Sequence, residues 1–135
     1  ADFSIGKHGS GSGAVSPFYF KVDGENGDTT CTGNITAYGS ISDIRRKKNI
    51  KTIENPLDKV AQLRGITFDY KKDGKRSTGL IAQELEKVLP EAVYETSDID
   101  DKDDKFKAVR YGNVVGLLVE AIKELKAEIE ELKKA

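Results

Sequence analysis

Methionine and tryptophan are absent from these 135 residues, cysteine and histidine occur once each, and there are only three prolines. A lone cysteine, Cys31, excludes an intrachain disulfide and a zinc site made of several thiolates. The lone histidine, His8, lies in a glycine-rich stretch far in sequence from Ser42. It leaves a serine–histidine–aspartate triad with one weak candidate. The missing initiator methionine suits a piece cut from a longer polypeptide, and no signal-peptide pattern opens the chain. No apolar run approaches the roughly 18 residues that a membrane span needs. Net charge is −1, so no overall field favours nucleic acid or anionic lipid. Neither is expected as a partner.

What is present divides the chain. Residues 1–41 hold eight of the 13 glycines, with short β-favouring pieces between them. These are Pro17 to Val22, Thr29 to Thr32 and Asn34 to Tyr38, punctuated by turns. Large apolar residues are few there, so this segment reads as the β-structured end of a fibre that needs neighbouring copies to bury a core. Gly6 to Gly13 has the wrong glycine spacing for a phosphate loop and no strand-loop-helix setting. Asn34-Ile35-Thr36 matches a glycosylation sequon, which carries no weight without secretion.

Beyond residue 50 the signals are those of a small α+β domain with short strands and helices. Asn55-Pro56 predicts a helix start, with Asn as cap and Pro at the first helical position. Leu57, Val60, Ala61 and the stem of Arg64 share a face, and Gly65 is placed to end the helix. Ile66, Phe68 and Tyr70 alternate with polar residues, and Asp73-Gly74 predicts a hairpin turn. Ile81, Leu85, Val88 and Leu89 follow helical spacing up to Pro90. Val93-Tyr94 and Phe106 to Arg110 read as strands flanking a charged loop, Ser97 to Lys105. Counted from Asp98, the sixth and twelfth positions of that loop are Asp103 and Val109, not the Gly and Glu of a calcium loop. It reads as a solvated turn, and no metal or cofactor is expected.

A C-terminal helix is predicted from Asn113, as cap, to about Lys134. Val115, Ile122 and Ile129 fall at a positions and Leu118, Leu125 and Leu132 at d positions of a heptad repeat. Glu128 at g and Lys133 at the following e favour a parallel, in-register coiled coil. The upper end, near Val114 to Val119, is apolar on more than one face and suits docking on its own domain. Past Ala121 the stripe narrows to a and d, which suits self-association. β-branched residues at a with Leu at d lean toward two strands in isolated coils.

At the seam between the two parts stands Ser42-Asp43-Ile44-Arg45-Arg46-Lys47-Lys48-Asn49-Ile50. A serine hydroxyl attacks only after a base removes its proton, and lysine is a base only when neutral. The ordinary lysine pKa of about 10.4 must therefore fall. Burial and neighbouring cations both act in that direction, and Arg45, Arg46 and Lys48 supply the second. Residues five apart point apart on a helix and to opposite faces of a strand. So the chain must turn between Ser42 and Lys47, or the lysine must come from another subunit. The plainer reading makes Ser42-Asp43 the cap of a turn and the basic run a solvated face.

Three ordered blocks resemble a known family. They are Ser42 to Ile50, then Gly79-Leu80-Ile81-Ala82-Gln83-Glu84-Leu85-Glu86-Lys87-Val88-Leu89-Pro90, then Val109-Arg110-Tyr111 with Leu117 to Leu125. From Ser42 onward the chain is similar to the C-terminal intramolecular chaperone of phage tailspikes, tail fibres, neck appendages and endosialidases, a self-cleaving serine peptidase. The resemblance implies an intertwined homotrimer that assists folding of the fibre upstream on the same polypeptide and then releases itself. It places the nucleophile on Ser42, the base on Lys47 and the scissile bond at Ile41-Ser42. It also implies assembly in the host cytoplasm and a mature location in a virion tail fibre or spike. Many relatives carry a histidine just before the Gly-Leu-Ile-Ala-Gln block, where this chain has Lys75-Arg76-Ser77-Thr78.

The domains expected on this reading are a fibre end at 1–41, a chaperone and autopeptidase at 42–112, and an oligomerisation helix at 113–135. An oxyanion donor is needed as well, with Asn49 and Gln83 as supporting candidates. Two alternatives remain on the residues alone. One is a non-cleaving trimerisation module, and the other a coiled coil that captures a foreign helix.

Overall fold

The computed structural model describes residues 3–8, 15–22, 24, 29–31, 34–97, 101 and 103–135. The chain forms two compact units, residues 1–48 and 49–135.

The first unit holds a three-stranded antiparallel sheet in the order β1 (Phe3–His8), β2 (Val15–Val22), β3 (Thr29–Cys31). The register of β1 on β2 shifts at Gly6, which pairs with Phe18 while Ile5 pairs with Phe20. A glycine inside a strand commonly marks such an irregularity. The strands expected at Pro17 to Val22 and Thr29 to Thr32 fall on β2 and, as far as Cys31, on β3; Thr32 lies outside the described residues. Asn34 to Tyr38, expected as a third strand, forms no strand and is exposed throughout. β propensity alone cannot hold a strand without a partner edge to accept its hydrogen bonds. Gly9, Gly11 and Gly13 of the glycine-rich stretch lie outside the described residues, as do Asp98 and Asp100 of the acidic loop.

The second unit runs α1 (Pro56–Ala61), β4 (Ile66–Asp69), β5 (Arg76–Gly79), α2 (Ala82–Glu86), β6 (Val93–Ser97), β7 (Lys105–Val109) and α3 (Val115–Lys133). Its strands form two separate antiparallel hairpins, β4-β5 and β6-β7. The first closes where expected. Gly74 takes φ of 70° and its N–H donates to the Tyr70 carbonyl at 2.8 Å. A side chain would resist that left-handed angle.

Three helix boundaries differ from the sequence reading. α1 stops at Gln62, not at Gly65. α2 spans only Ala82–Glu86, and Leu89, two residues past its Lys87 cap, leaves helical geometry at φ −145° ahead of Pro90. A residue before proline is pushed out of the helical region in this way. The C-terminal helix begins after a 3-10 turn at Tyr111–Val114, with no side-chain cap at Val114. Asn113 therefore does not cap it; its side-chain amide donates to the Glu91 carbonyl at 3.5 Å instead.

The core gathers where these elements meet. Leu85, Val88, Leu89, Ala92, Val114 and Leu117 are buried together, with Ile53, Val60, Leu63, Leu80, Val93 and Val109 packed around them. Leu85 and Leu117 are fully buried. α3 thus docks through Leu117 and Ala121, and α1 packs along it. The heptad residues Val115, Leu118, Ile122, Leu125, Ile129 and Leu132 face outward, 46% to 74% exposed. Charged pairs tie the periphery: Arg64 to Glu84 at 2.8 Å, and Lys107 to Glu86 in close contact.

Candidate active site

Ser42, Asp43 and Lys47 lie on one short reversal of the chain. Residues 44–46 form a single 3-10 turn, flanked by extended backbone at Asp43 (φ −65°, ψ 133°) and Lys47 (φ −115°, ψ 148°). The turn is closed by the Arg46 N–H to the Asp43 carbonyl at 3.0 Å and the Lys47 N–H to the Ile44 carbonyl at 3.1 Å. That geometry removes the difficulty of the five-residue spacing. A continuous helix or strand would send the two side chains apart, whereas one tight turn between extended residues folds the lysine back. The Lys47 Nζ donates to the Ser42 Oγ at 2.7 Å.

An N–H donated to Oγ leaves the hydroxyl unactivated. When the amine is neutral the same pair can reverse, with Oγ–H donating to Nζ, which is the arrangement a general base requires. Both residues are exposed in the single chain.

Asp43 does more than the sequence revealed. Its Oδ1 accepts from the Arg45 N–H at 2.8 Å, capping the turn, and its carboxylate also receives the Arg45 guanidinium, at 3.1 and 3.3 Å from Nε and 2.9 Å from Nη2. The guanidinium first, and the Arg45 backbone N–H second, hold the Asp43 carboxyl below its usual range. The same pairing pushes Arg45 up. Arg45 is therefore a committed cation, while Arg46 and Lys48 make no ion pair among the described residues. A shallow depression lined by Ile41, Asp43, Arg45 and Arg46 opens beside the turn.

Within one turn, then, the aspartate caps the backbone and the lysine side chain reaches the serine hydroxyl. The aspartate–arginine spacing of two was a readable signal for the clamp. Asn49, in left-handed geometry at φ 55°, and Gln83, exposed on α2, belong to the second compact unit. Ser42 and Lys47 belong to the first. The compact division thus falls after Lys48, seven residues beyond the expected seam at Ile41-Ser42. Among the described residues no group of three or more His, Cys, Asp or Glu could hold a metal ion, and no helix is long and apolar enough to cross a membrane.

Residues 42–94 match the Peptidase S74 family, described as the chaperone of endosialidase, and the match begins on Ser42 itself. This chain carries a chaperone-of-endosialidase domain. The chain is also similar to phage long tail fiber proteins. It is 40% identical over 144 residues to Gp37 of Enterobacteria phage T2, covering 98% of this chain and 10% of that protein. Gp37 of Enterobacteria phage K3 is 44% identical over 115 residues, covering 80% of this chain and 9% of that protein. For Gp37 of Enterobacteria phage Ox2 the figures are 41% over 108 residues, 75% and 42%. The chain thus spans about a tenth of the length of the first two relatives. The match to the chaperone-of-endosialidase family takes in the Ser42 turn, both flanks of the first hairpin, α2 and the start of β6.

Proposed function

We propose that this chain is an intramolecular chaperone that assembles as a homotrimer through α3, assists folding of an upstream phage tail fibre segment on the same polypeptide, and then cuts itself free at Ile41-Ser42. The observation that carries the proposal is the 2.7 Å approach of Lys47 Nζ to Ser42 Oγ, at the residue where the family match starts.

In the reaction, neutral Lys47 takes the Oγ proton of Ser42. The Oγ attacks the carbonyl carbon of Ile41, the C–N bond to Ser42 breaks, and the freed amine takes up a proton. The resulting ester is hydrolysed by water, leaving a carboxylate on Ile41 and an amine and hydroxyl on Ser42. Attack on the immediately preceding carbonyl needs no diffusional encounter, so proximity supplies much of the rate. The reaction turns over once. Oxyanion support falls to Asn49 or Gln83 on this reading.

Two features fit a cut delayed until assembly. The dyad is exposed in the single chain, and burial is what favours a neutral amine; packing of further copies would supply it. The a and d residues of α3 are exposed in register, and Glu128 and Lys133 make no intrachain ion pair among the described residues, leaving both for a neighbouring helix. Cleavage after folding would leave the fibre unable to reverse its path, a kinetic rather than equilibrium stability.

Intact mass of the expressed chain provides the test. The parent should give two fragments meeting at Ile41 and Ser42, and Ser42→Ala a single full-length species. Lys47→Met should slow the cut by about 10²- to 10⁴-fold, the usual contribution of a general base. A parent chain that assembles and stays whole overturns the peptidase reading and leaves a trimerising clamp.

A further inference from the structure

We propose that Asp43 is a positioning residue for the Ser42–Lys47 dyad, holding the turn that brings base to nucleophile while Arg45 keeps its carboxylate away from the lysine. The inference rests on the self-cleavage reading above and names the device that makes it work.

The turn has no packing to hold it. None of residues 44–46 is buried, and every residue from 34 to 50 is exposed. Its conformation therefore depends on hydrogen bonds in contact with water. Two are backbone bonds intrinsic to any 3-10 turn; the third is the Asp43 Oδ1 to the Arg45 N–H. Without that cap the segment is a short exposed piece of chain free to extend, and extension carries Lys47 to the opposite side from Ser42.

The clamp has a second consequence. A carboxylate free to approach a lysine favours the ammonium over the amine, and Asp43 is adjacent in sequence to the nucleophile that Lys47 must serve. Three contacts from the Arg45 guanidinium occupy both Asp43 oxygens. The charged group that faces Asp43 is thus Arg45, and the carboxylate is spent on a cation that takes no part in proton transfer.

The test uses the full chain, collected uncut in denaturant and diluted into buffers spanning about pH 5 to 10, with the cut fraction followed by mass against time. Asp43→Ala should lower the rate about 10²-fold, the scale expected for a misplaced catalytic group, with assembly size by light scattering equal to that of Ser42→Ala. Asp43→Asn keeps an oxygen for the Arg45 N–H, since Asn caps as well as Asp, and should restore most of the rate. Arg45→Ala keeps the backbone cap but removes the guanidinium from the carboxylate and one cation from the neighbourhood of Lys47; both changes should displace the pH–rate profile toward higher pH, a shift that loss of structure alone does not produce. If Asp43→Ala assembles poorly, the Asp43→Asn and Arg45→Ala arms decide. Asp43→Ala cutting at the parental rate, Asp43→Asn no faster than Asp43→Ala, or an unmoved Arg45→Ala profile each overturns the positioning role while a cutting parent preserves the peptidase. A parent uncut at every pH overturns both.

Discussion

Gly79 packs against a tyrosine 32 positions away. The Tyr111 hydroxyl accepts from the Leu80 N–H at 3.0 Å, and a Cβ on Gly79 would lie 2.3 Å from that oxygen and 3.3 Å from the ring carbon bearing it. Gly79→Ala should therefore cost about 1–3 kcal/mol, as overpacking does, read as a lowered denaturation midpoint. Adding Tyr111→Phe removes the clashing oxygen and should return part of that loss, a coupling that independent sites would not show. Sequence inspection finds this glycine only as the first residue of the Gly79 to Pro90 block; the hydroxyl that would crowd a side chain comes from beyond the second hairpin. At Ser42 the balance is different. The serine, the lysine and the capping aspartate all lie within six residues, so the residues of the proposed chemistry are legible locally, and what stays hidden is the sense in which the backbone turns.

At the scale of elements, α1 illustrates how a start signal can be right while its capping is wrong. Asn55-Pro56 opens the helix as the residue types predict, yet Asn55 turns left-handed at φ 50° and makes no side-chain cap. The orphan N–H of Leu57 is taken instead by the Glu124 Oε2 at 3.2 Å, reaching across from α3 over 67 positions. A carboxylate there also sits favourably at the positive end of the helix. Glu124→Ala should cost about 0.5–2 kcal/mol, the range for a lost N-cap, as a shift in the denaturant midpoint with unchanged slope. Periodicity alone places Glu124 on α3 beside the heptad stripe and gives no hint that it caps another helix. The hairpin at Asp73-Gly74 is the contrasting case. Turn chemistry is settled by four residues, and the structure forms it where those residues stand.

For the whole molecule, the decisive property is that α3 has two apolar faces. Leu117 and Ala121 are consumed by the domain, while Ile122, Leu125, Ile129 and Leu132 remain open to solvent. On the proposed assembly through α3, Ile122→Asp with Ile129→Asp should give single chains in light scattering, because charge at two a positions is incompatible with a closed seam. The Leu85–Leu117 core should survive, judged by retained cooperative unfolding. By itself the amino-acid order determined the hairpin turn, the heptad spacing and the serine–lysine motif, since each depends on preferences acting over a few residues or one helical period. Only the tertiary structure decided which face of α3 is buried, which carboxylate caps α1 and which hydroxyl crowds Gly79. Those outcomes rest on contacts between residues far apart in the chain, and a linear pattern does not encode which of several equally apolar or equally charged partners will meet.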